Sequence, residues 1–332
     1  MKDIINVKNI SKSYKVAKRN SGFKNAFKNF IKRDYKIIKA VDDITFTIHE
    51  GEIVGYIGPN GAGKSTTIKM LSGILRPDSG EIIINGMNPV TDRVKYVKEI
   101  GVVFGQKSQL WWDIPAIESF DLLKDIYKIP DEEYRKTRDE LINLLKINEV
   151  VKMPVRQLSL GERMKCELVA SLLHNPKILF LDEPTIGLDA ISKVVVRNFI
   201  KSINKDKKVT VILTTHDMAD IETLADRVIV IGNGKKLYDG NIFDIKKKYS
   251  NEKIVEIYYD KLKKIPKIEN TSIISNSDGV IKVKIDAKKT NVSDVTMAYS
   301  QVCEIKDINV LASSIDDIIY KLYEDFKIWR YI

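Results

Sequence analysis

The sequence predicts an α/β fold built on a mainly parallel sheet, with a helical subdomain inserted into it and a small α+β domain after it. Three observations predict this. Short apolar runs rich in β-forming residues recur between helical stretches. Strand-like runs stop between about Gln106 and Leu158, and from about Asn241 onward strand and helix patterns resume in a different arrangement. At about 100 to 200 residues per domain, 332 residues accommodate a main domain over 1–240 and an accessory domain over 241–332.

The elements follow in order. Residues 4–7 and 41–48 read as strands; in the second, Val41, Ile44, Phe46 and Ile48 largely alternate with polar residues. Ile53 to Ile57 is apolar throughout and ends in glycines, as expected of a strand buried on both faces. Ile178 to Leu181, Val209 to Leu213 and Val228 to Ile231 repeat that pattern, the first stopping at Asp182 and the second at Thr214, Thr215 and His216. Polar residues at strand ends are where parallel sheets carry their chemistry. Glu118–Tyr127 and Glu132–Ile147 have helical periodicity with no strand run between them. In the tail, 254–259 and the alternation of Ile281, Val283 and Ile285 read as strands. Val292, Val295, Tyr299 and Val302 mark one helix; Ile315, Ile318, Ile319, Leu322 and Phe326 mark another, opened by Ser314 and Asp317.

Composition narrows the function classes. A 44% hydrophobic content excludes wholesale disorder. No apolar run approaches the roughly 18 to 20 residues of a membrane span, and the start MKDIINVKNI lacks a signal-peptide core, so a cytosolic chain is expected. Cys166 and Cys303 stand apart, without zinc or disulfide spacing, and read as small buried hydrophobes. The net charge of +10 resides wholly in residues 1–40, which hold 12 Lys/Arg against 2 Asp/Glu. A balanced remainder argues against a nucleic-acid-coating surface and for one local basic element.

Gly58-Pro59-Asn60-Gly61-Ala62-Gly63-Lys64-Ser65-Thr66 follows the Ile53 strand and precedes an amphipathic helix. It satisfies the phosphate-loop pattern GxxxxGK followed by Ser or Thr in its strand–loop–helix context. The glycines let backbone N–H groups face phosphate oxygens, Lys64 reaches the β- and γ-phosphates, and Ser65 ligates Mg2+. The strand ending in Asp182-Glu183 supplies the complement: Asp182 accepts from the Mg2+ shell through water, and Glu183 polarises the attacking water as general base. Ser159 and Glu162 form S-x-x-E, a capping box that opens a helix.

Leu158-Ser159-Leu160-Gly161-Glu162 resembles the signature motif of ATP-binding cassette (ABC) ATPases, usually LSGGQ, with Leu160 replacing a glycine and Glu162 a glutamine. Gln106 resembles the Q-loop glutamine, Gly187-Leu188-Asp189 the D-loop, and His216 the switch histidine. All occur in family order, across about residues 4–240. The resemblance implies a P-loop NTPase core with an antiparallel β subdomain, and ATP and Mg2+ as ligands. It implies Glu183, His216 and Gln106 as catalytic groups and Ser65, Gln106 and Asp182 around the metal. It also implies Asp189 and the signature residues Ser159, Gly161 and Glu162 of a second copy at the nucleotide, in a head-to-tail dimer that sandwiches two ATP molecules. Tyr14 resembles the A-loop aromatic that stacks on adenine, with Tyr35 as its rival.

Between Tyr14 and Val41 the family usually has a short turn, whereas this chain has about 25 residues. Phe23, Phe27, Phe30 and Ile31 would line one stripe of a helix flanked by Lys24, Lys28 and Lys32. This basic insertion, about residues 16–39, is expected either at an anionic membrane surface or membrane subunit, or packed on its own cassette. Trp111 and Trp112 are expected in the core by default, or against a membrane subunit.

With one cassette and no span, the permease is expected to be a separate multi-span polypeptide. The runs GQKSQLWWDIP and LSLGERMK, with the small C-terminal domain, are similar to bacterial ABC-2-type exporter ATPases at the cytoplasmic face of the membrane. Polysaccharide-exporter ATPases and non-transport ABC ATPases of ribosome or DNA are the alternatives; nucleic acid is disfavoured by the charge balance. A regulatory role for the tail stands beside one in dimer packing.

Overall fold

The runs without polar alternation lie side by side, because each strand is covered on both faces. The computed structural model describes residues 2–17, 35–105, 107–249, 252–312, 315–326 and 328. They form two compact units, residues 1–240 and 241–332. In chain order the first contains strands β1 (Asp3–Ala17), β2 (Tyr35–His49), β3 (Ile53–Ile57), β4 (Ser79–Ile84), β5 (Ile100–Phe104), β6 (Ile178–Asp182), β7 (Thr210–Thr214), β8 (Arg227–Gly232) and β9 (Lys235–Asn241). Six of them make one sheet in the order β5-β6-β7-β3-β8-β9. The pairs β5–β6, β6–β7, β7–β3 and β3–β8 are parallel. Register sets Phe104 level with Asp182 and Asp182 level with Thr214. The carboxyl ends of β5, β6 and β7 thus form one rim, where such sheets place their ligands.

β2, β1 and β4 make a separate antiparallel sheet. Its inward residues Ile5, Ile10, Ile44, Phe46 and Ile48 share one apolar core with Tyr56, Ile68 and Phe180. Most of these are wholly buried, each worth about 1.5–3 kcal/mol by burial. β1 and β2 run well beyond the expected 4–7 and 41–48, pairing as far as Ala17 with Tyr35. Both ends of the segment expected as an insertion over 16–39 are therefore strand: Val16 and Ala17 in β1, and 35–39 in β2. The expected amphipathic helix over 23–31 lies outside the described residues.

Helices Ala116–Tyr127 and Asp131–Leu145 form the inserted helical region. Phe120, Leu141 and Leu145 anchor it, all almost wholly buried. Trp111 and Trp112, expected in the core by default or else against a membrane subunit, are 43% and 52% exposed, which departs from the default. Their backbones are fixed: Trp111 N–H is held by Ser119 Oγ at 3.1 Å and Trp112 C=O by Arg156 N–H at 3.0 Å. Their rings are half exposed, with the Arg163 guanidinium 5.9 Å from the Trp112 ring.

The second unit is a four-stranded antiparallel sheet, ordered β11 (Thr271–Ser277), β12 (Val280–Asp286), β10 (Glu252–Asp260), β13 (Glu304–Ala312). Val255, Ile257, Ile281, Val283 and Ile285 face Val295 and Tyr299 of helix Val292–Ser300. On β10, Glu256 pairs across strands with Lys282 Nζ at 2.5 Å. Helix Ile315–Asp325 buries Ile315, Ile318, Ile319 and Leu322; Ser314, expected at its start, lies outside the described residues.

Candidate active site

Three segments converge at the carboxyl rim of the parallel sheet. The loop Gly58–Gly63 leaves β3 and feeds helix Lys64–Leu71. Gly63 caps that helix at φ 106°. A Cβ there would lie 2.2 Å from the carbonyl oxygen of Ala40, and one at Gly58 2.6 Å from that of Ile231. Only glycine lets the loop close this tightly on the neighbouring strands.

Lys64 is 6% exposed. Its ammonium donates to the loop's own carbonyls, Gly58 O at 2.7 Å and Pro59 O at 3.2 Å. Burial pulls its pKa below the ordinary lysine value, partly offset by the charges of Glu183 and Asp182. Ser65 follows, its Oγ donating to Asp182 Oδ1 at 3.2 Å. Thr214 Oγ1 donates to the same oxygen at 2.6 Å.

Glu183 adopts φ 56°, a left-handed backbone costing about 1–2 kcal/mol for a side chain with a Cβ. Its N–H donates to Thr214 O at 3.0 Å and Thr214 Oγ1 at 3.2 Å. The carboxylate meets His216 Nε2 at 2.8 Å. His216 Nε2 also lies 3.4 Å from Lys64 Nζ. One nitrogen cannot donate to Glu183 and accept from Lys64 at once; the shorter contact takes the proton, so the lysine contact is proximity rather than a hydrogen bond.

The Ser159 turn is a complete capping box on helix Leu160–Leu172. Glu162 N–H donates to Ser159 Oγ at 3.3 Å, while Ser159 N–H and Oγ donate to Glu162 Oε2 at 2.9 and 2.7 Å. These bonds hold the Glu162 carboxyl below its usual range. Asp189 caps helix Ala190–Lys207, accepting from Ser192 N–H and Oγ, both at 2.8 Å. The two turns abut. A Cβ on Gly161 would lie 2.6 Å from Ser192 Oγ, and one on Gly187 2.8 Å from Leu160 Cδ2. Leu160 thus fills the space above Gly187.

Tyr14 sits on β1 opposite Ile38, and Ala40, two residues further along β2, touches the phosphate loop. Tyr35 is five residues from Ala40, about 17 Å along the strand against about 7 Å for the level of Tyr14. Gln106 lies outside the described residues. Asn60, Gly61, Ala62 and Thr66 complete the loop and the first turn of its helix.

Several residues that hold the site carried no motif. Thr214 supports both acids; Thr185 and Thr215, beside Glu183 and His216, each donate to buried Asp220. Thr214 and Thr215 were legible only as polar residues at the end of a strand, and Thr185 and Asp220 carried no signal of their own.

The residues present fit a nucleotide with Mg2+. The tight glycine cradle and inward ammonium suit polyphosphate, and a hydroxyl beside a carboxylate is a hard oxygen donor set. Among the described residues no group of three or more His, Cys, Asp or Glu could hold a metal by itself, so the nucleotide's oxygens would complete the shell.

Comparisons with known proteins point the same way. The ABC transporter family model matches residues 41–186. The ABC transporter ATP-binding protein NatA of Bacillus subtilis is 32% identical over 227 residues, 68% of this chain and 92% of that protein. ABC transporter A family member 8 of Dictyostelium discoideum is 35% identical over 249 residues, 75% of this chain but 29% of that protein; the chain spans less than a third of that relative. A dimeric post-hydrolysis ATP-binding cassette bound to ADP and Pi superposes with TM-score 0.60 at 26% identity, covering 72% of this chain and 99% of that one.

Proposed function

This chain belongs to the ATP-binding ATPase subunits of ABC transporters, and we propose that its hydrolysis cycle drives a separate membrane permease of the ABC-2 exporter type from the cytoplasmic face. One observation carries the chemical reading: Lys64, Ser65, Asp182, Glu183 and His216, drawn from three strand ends, are joined by contacts of 3.4 Å or less. Loop amides and Lys64 hold the β- and γ-phosphates. Tyr14 stacks on adenine; its level on β1, near Ala40, supports it over Tyr35. Ser65, Gln106 and Asp182 hold Mg2+, which when bound offsets phosphate charge. Glu183 takes a proton from the water attacking the γ-phosphorus as the bond to ADP breaks, and His216 keeps the carboxylate aimed.

Ser159, Gly161 and Glu162 of a second copy complete the site, with Asp189 at the junction. The helix N-terminus they occupy carries positive potential suited to a γ-phosphate. Among the described residues no helix is long and apolar enough to cross a membrane, so a permease would be another chain or another segment. The exposed Trp111 and Trp112 offer it apolar surface. The basic stretch within 16–39 is assigned to a membrane or permease surface on its charge, and 241–332 to an accessory regulatory role.

The test is Glu183→Gln. Loss of a general base lowers turnover by about 10²–10⁴-fold, while ATP affinity persists and ATP-bound dimers accumulate in size-exclusion chromatography. Wild-type turnover by this variant refutes the assignment of the base.

A further inference from the structure

Asp220 lies on helix Met218–Leu224 with its side chain wholly buried. One oxygen, Oδ2, accepts from two hydroxyls, Thr185 Oγ1 and Thr215 Oγ1, the latter at 2.8 Å. The other accepts from Arg197 Nε at 2.6 Å. Asp217, the cap of the same helix, accepts from Lys193 Nζ at 2.6 Å and Arg197 Nη2 at 3.2 Å. Its own N–H donates to Thr215 Oγ1 at 2.9 Å. Two acids and two bases balance, as buried charge requires.

The connections matter more than the balance. Thr185 is two residues after Glu183, Thr215 immediately precedes His216, and Lys193 and Arg197 stand on the helix opened by Asp189. We infer that Asp220 is a positioning residue for ATP hydrolysis, clamping the Glu183 and His216 loops to each other and to the Asp189 helix. The clamp touches neither phosphate nor attacking water; it acts through the two threonines. Glu183 shows why one is needed. Its φ of 56° is unfavourable, and a backbone held there relaxes unless its neighbours over-determine it. Thr185, tied down two residues away, removes the slack. With both tethers intact the Glu183–His216 contact stays at 2.8 Å; misplacement of a catalytic group by about 1 Å costs on the order of 10²-fold in rate.

The inference rests on Glu183 as base, and the experiment separates the two. Thr185→Val, Thr215→Val and Asp220→Asn are made in the full chain, in wild-type and Glu183→Gln backgrounds, and kcat, ATP affinity and Tm are measured. Each threonine variant lowers kcat by about tenfold or more in the wild-type background, with ATP affinity changed less than about threefold. Against Glu183→Gln the further loss shrinks to under about threefold, because groups acting as a unit are not additive, while the change in Tm is the same in both backgrounds. Equal kcat losses in both backgrounds reduce Asp220 to a structural role and overturn the inference, as does wild-type turnover by both threonine variants. If Asp220→Asn does not fold, the threonine variants decide. If Glu183→Gln turns over normally, the base assignment falls and the losses of kcat against affinity in the wild-type background decide alone.

Discussion

Replacing Gly63 by alanine tests whether the phosphate loop is shaped by its own glycines or by the strands around it. Two costs follow from the geometry. At φ 106° a residue with a Cβ is strained, by about 1–2 kcal/mol. The added Cβ would lie 2.2 Å from Ala40 O, well inside van der Waals contact with a backbone atom that no rotamer can move; overpacking of that kind costs about 1–3 kcal/mol. The sum, about 2–5 kcal/mol, is a large share of the roughly 5–15 kcal/mol by which domains are stable. Gly61→Ala is the control: φ is 79°, but its Cβ would meet nothing within 4 Å, so only the backbone cost of about 1–2 kcal/mol remains. Urea unfolding gives both values by linear extrapolation, and a fluorescent ATP analogue reports binding. Gly63→Ala is expected to unfold at clearly lower urea than Gly61→Ala and to bind nucleotide more weakly. Equal midpoints would show that β2 yields without cost and would refute the steric argument.

Two further outcomes follow from the hydrogen bonding and electrostatics. Ser159→Ala removes the cap of helix Leu160–Leu172 and is expected to cost about 1 kcal/mol in unfolding free energy while weakening ATP-dependent dimerisation; an unchanged urea midpoint contradicts the capping geometry. Lys64 is held below the usual lysine pKa by burial, and a bound polyanion favours its ammonium form. ATP binding therefore takes up a proton at alkaline pH, and affinity falls as pH rises through the lowered pKa, earlier than for an ordinary lysine. Calorimetric titration in buffers of different ionisation heat reads that uptake; its absence with flat affinity would sink the claim.

The strands of the parallel sheet were legible because both of their faces are buried, which leaves uninterrupted apolar runs. β5 and β9 were not read: β5 carries Gly101, packed against Ser171 O, and β9 is the polar, half-exposed edge, KKLYDGN. β9 pairs back on β8 through Asn233-Gly234, both at positive φ. The phosphate loop, Asp182-Glu183 and the Ser159 capping box could be read because each is a local pattern whose chemistry depends on neighbours in the chain. For Trp111 and Trp112 the default of core burial failed, since hydrophobicity alone predicts burial, and their exposure fits the other expectation, an outward-facing surface.

By itself, then, the sequence determined the phosphate-gripping loop, the paired acids and the order of the motifs along the chain, because those properties depend on residues within a few positions of one another. Tertiary structure alone decided that Ala40 closes over Gly63, that Leu160 fills the space above Gly187, and that Asp220 ties Thr185 to Thr215. Each of these is a contact between segments far apart in sequence, and its distance is set by strand register and helix packing rather than by the identity of adjacent residues.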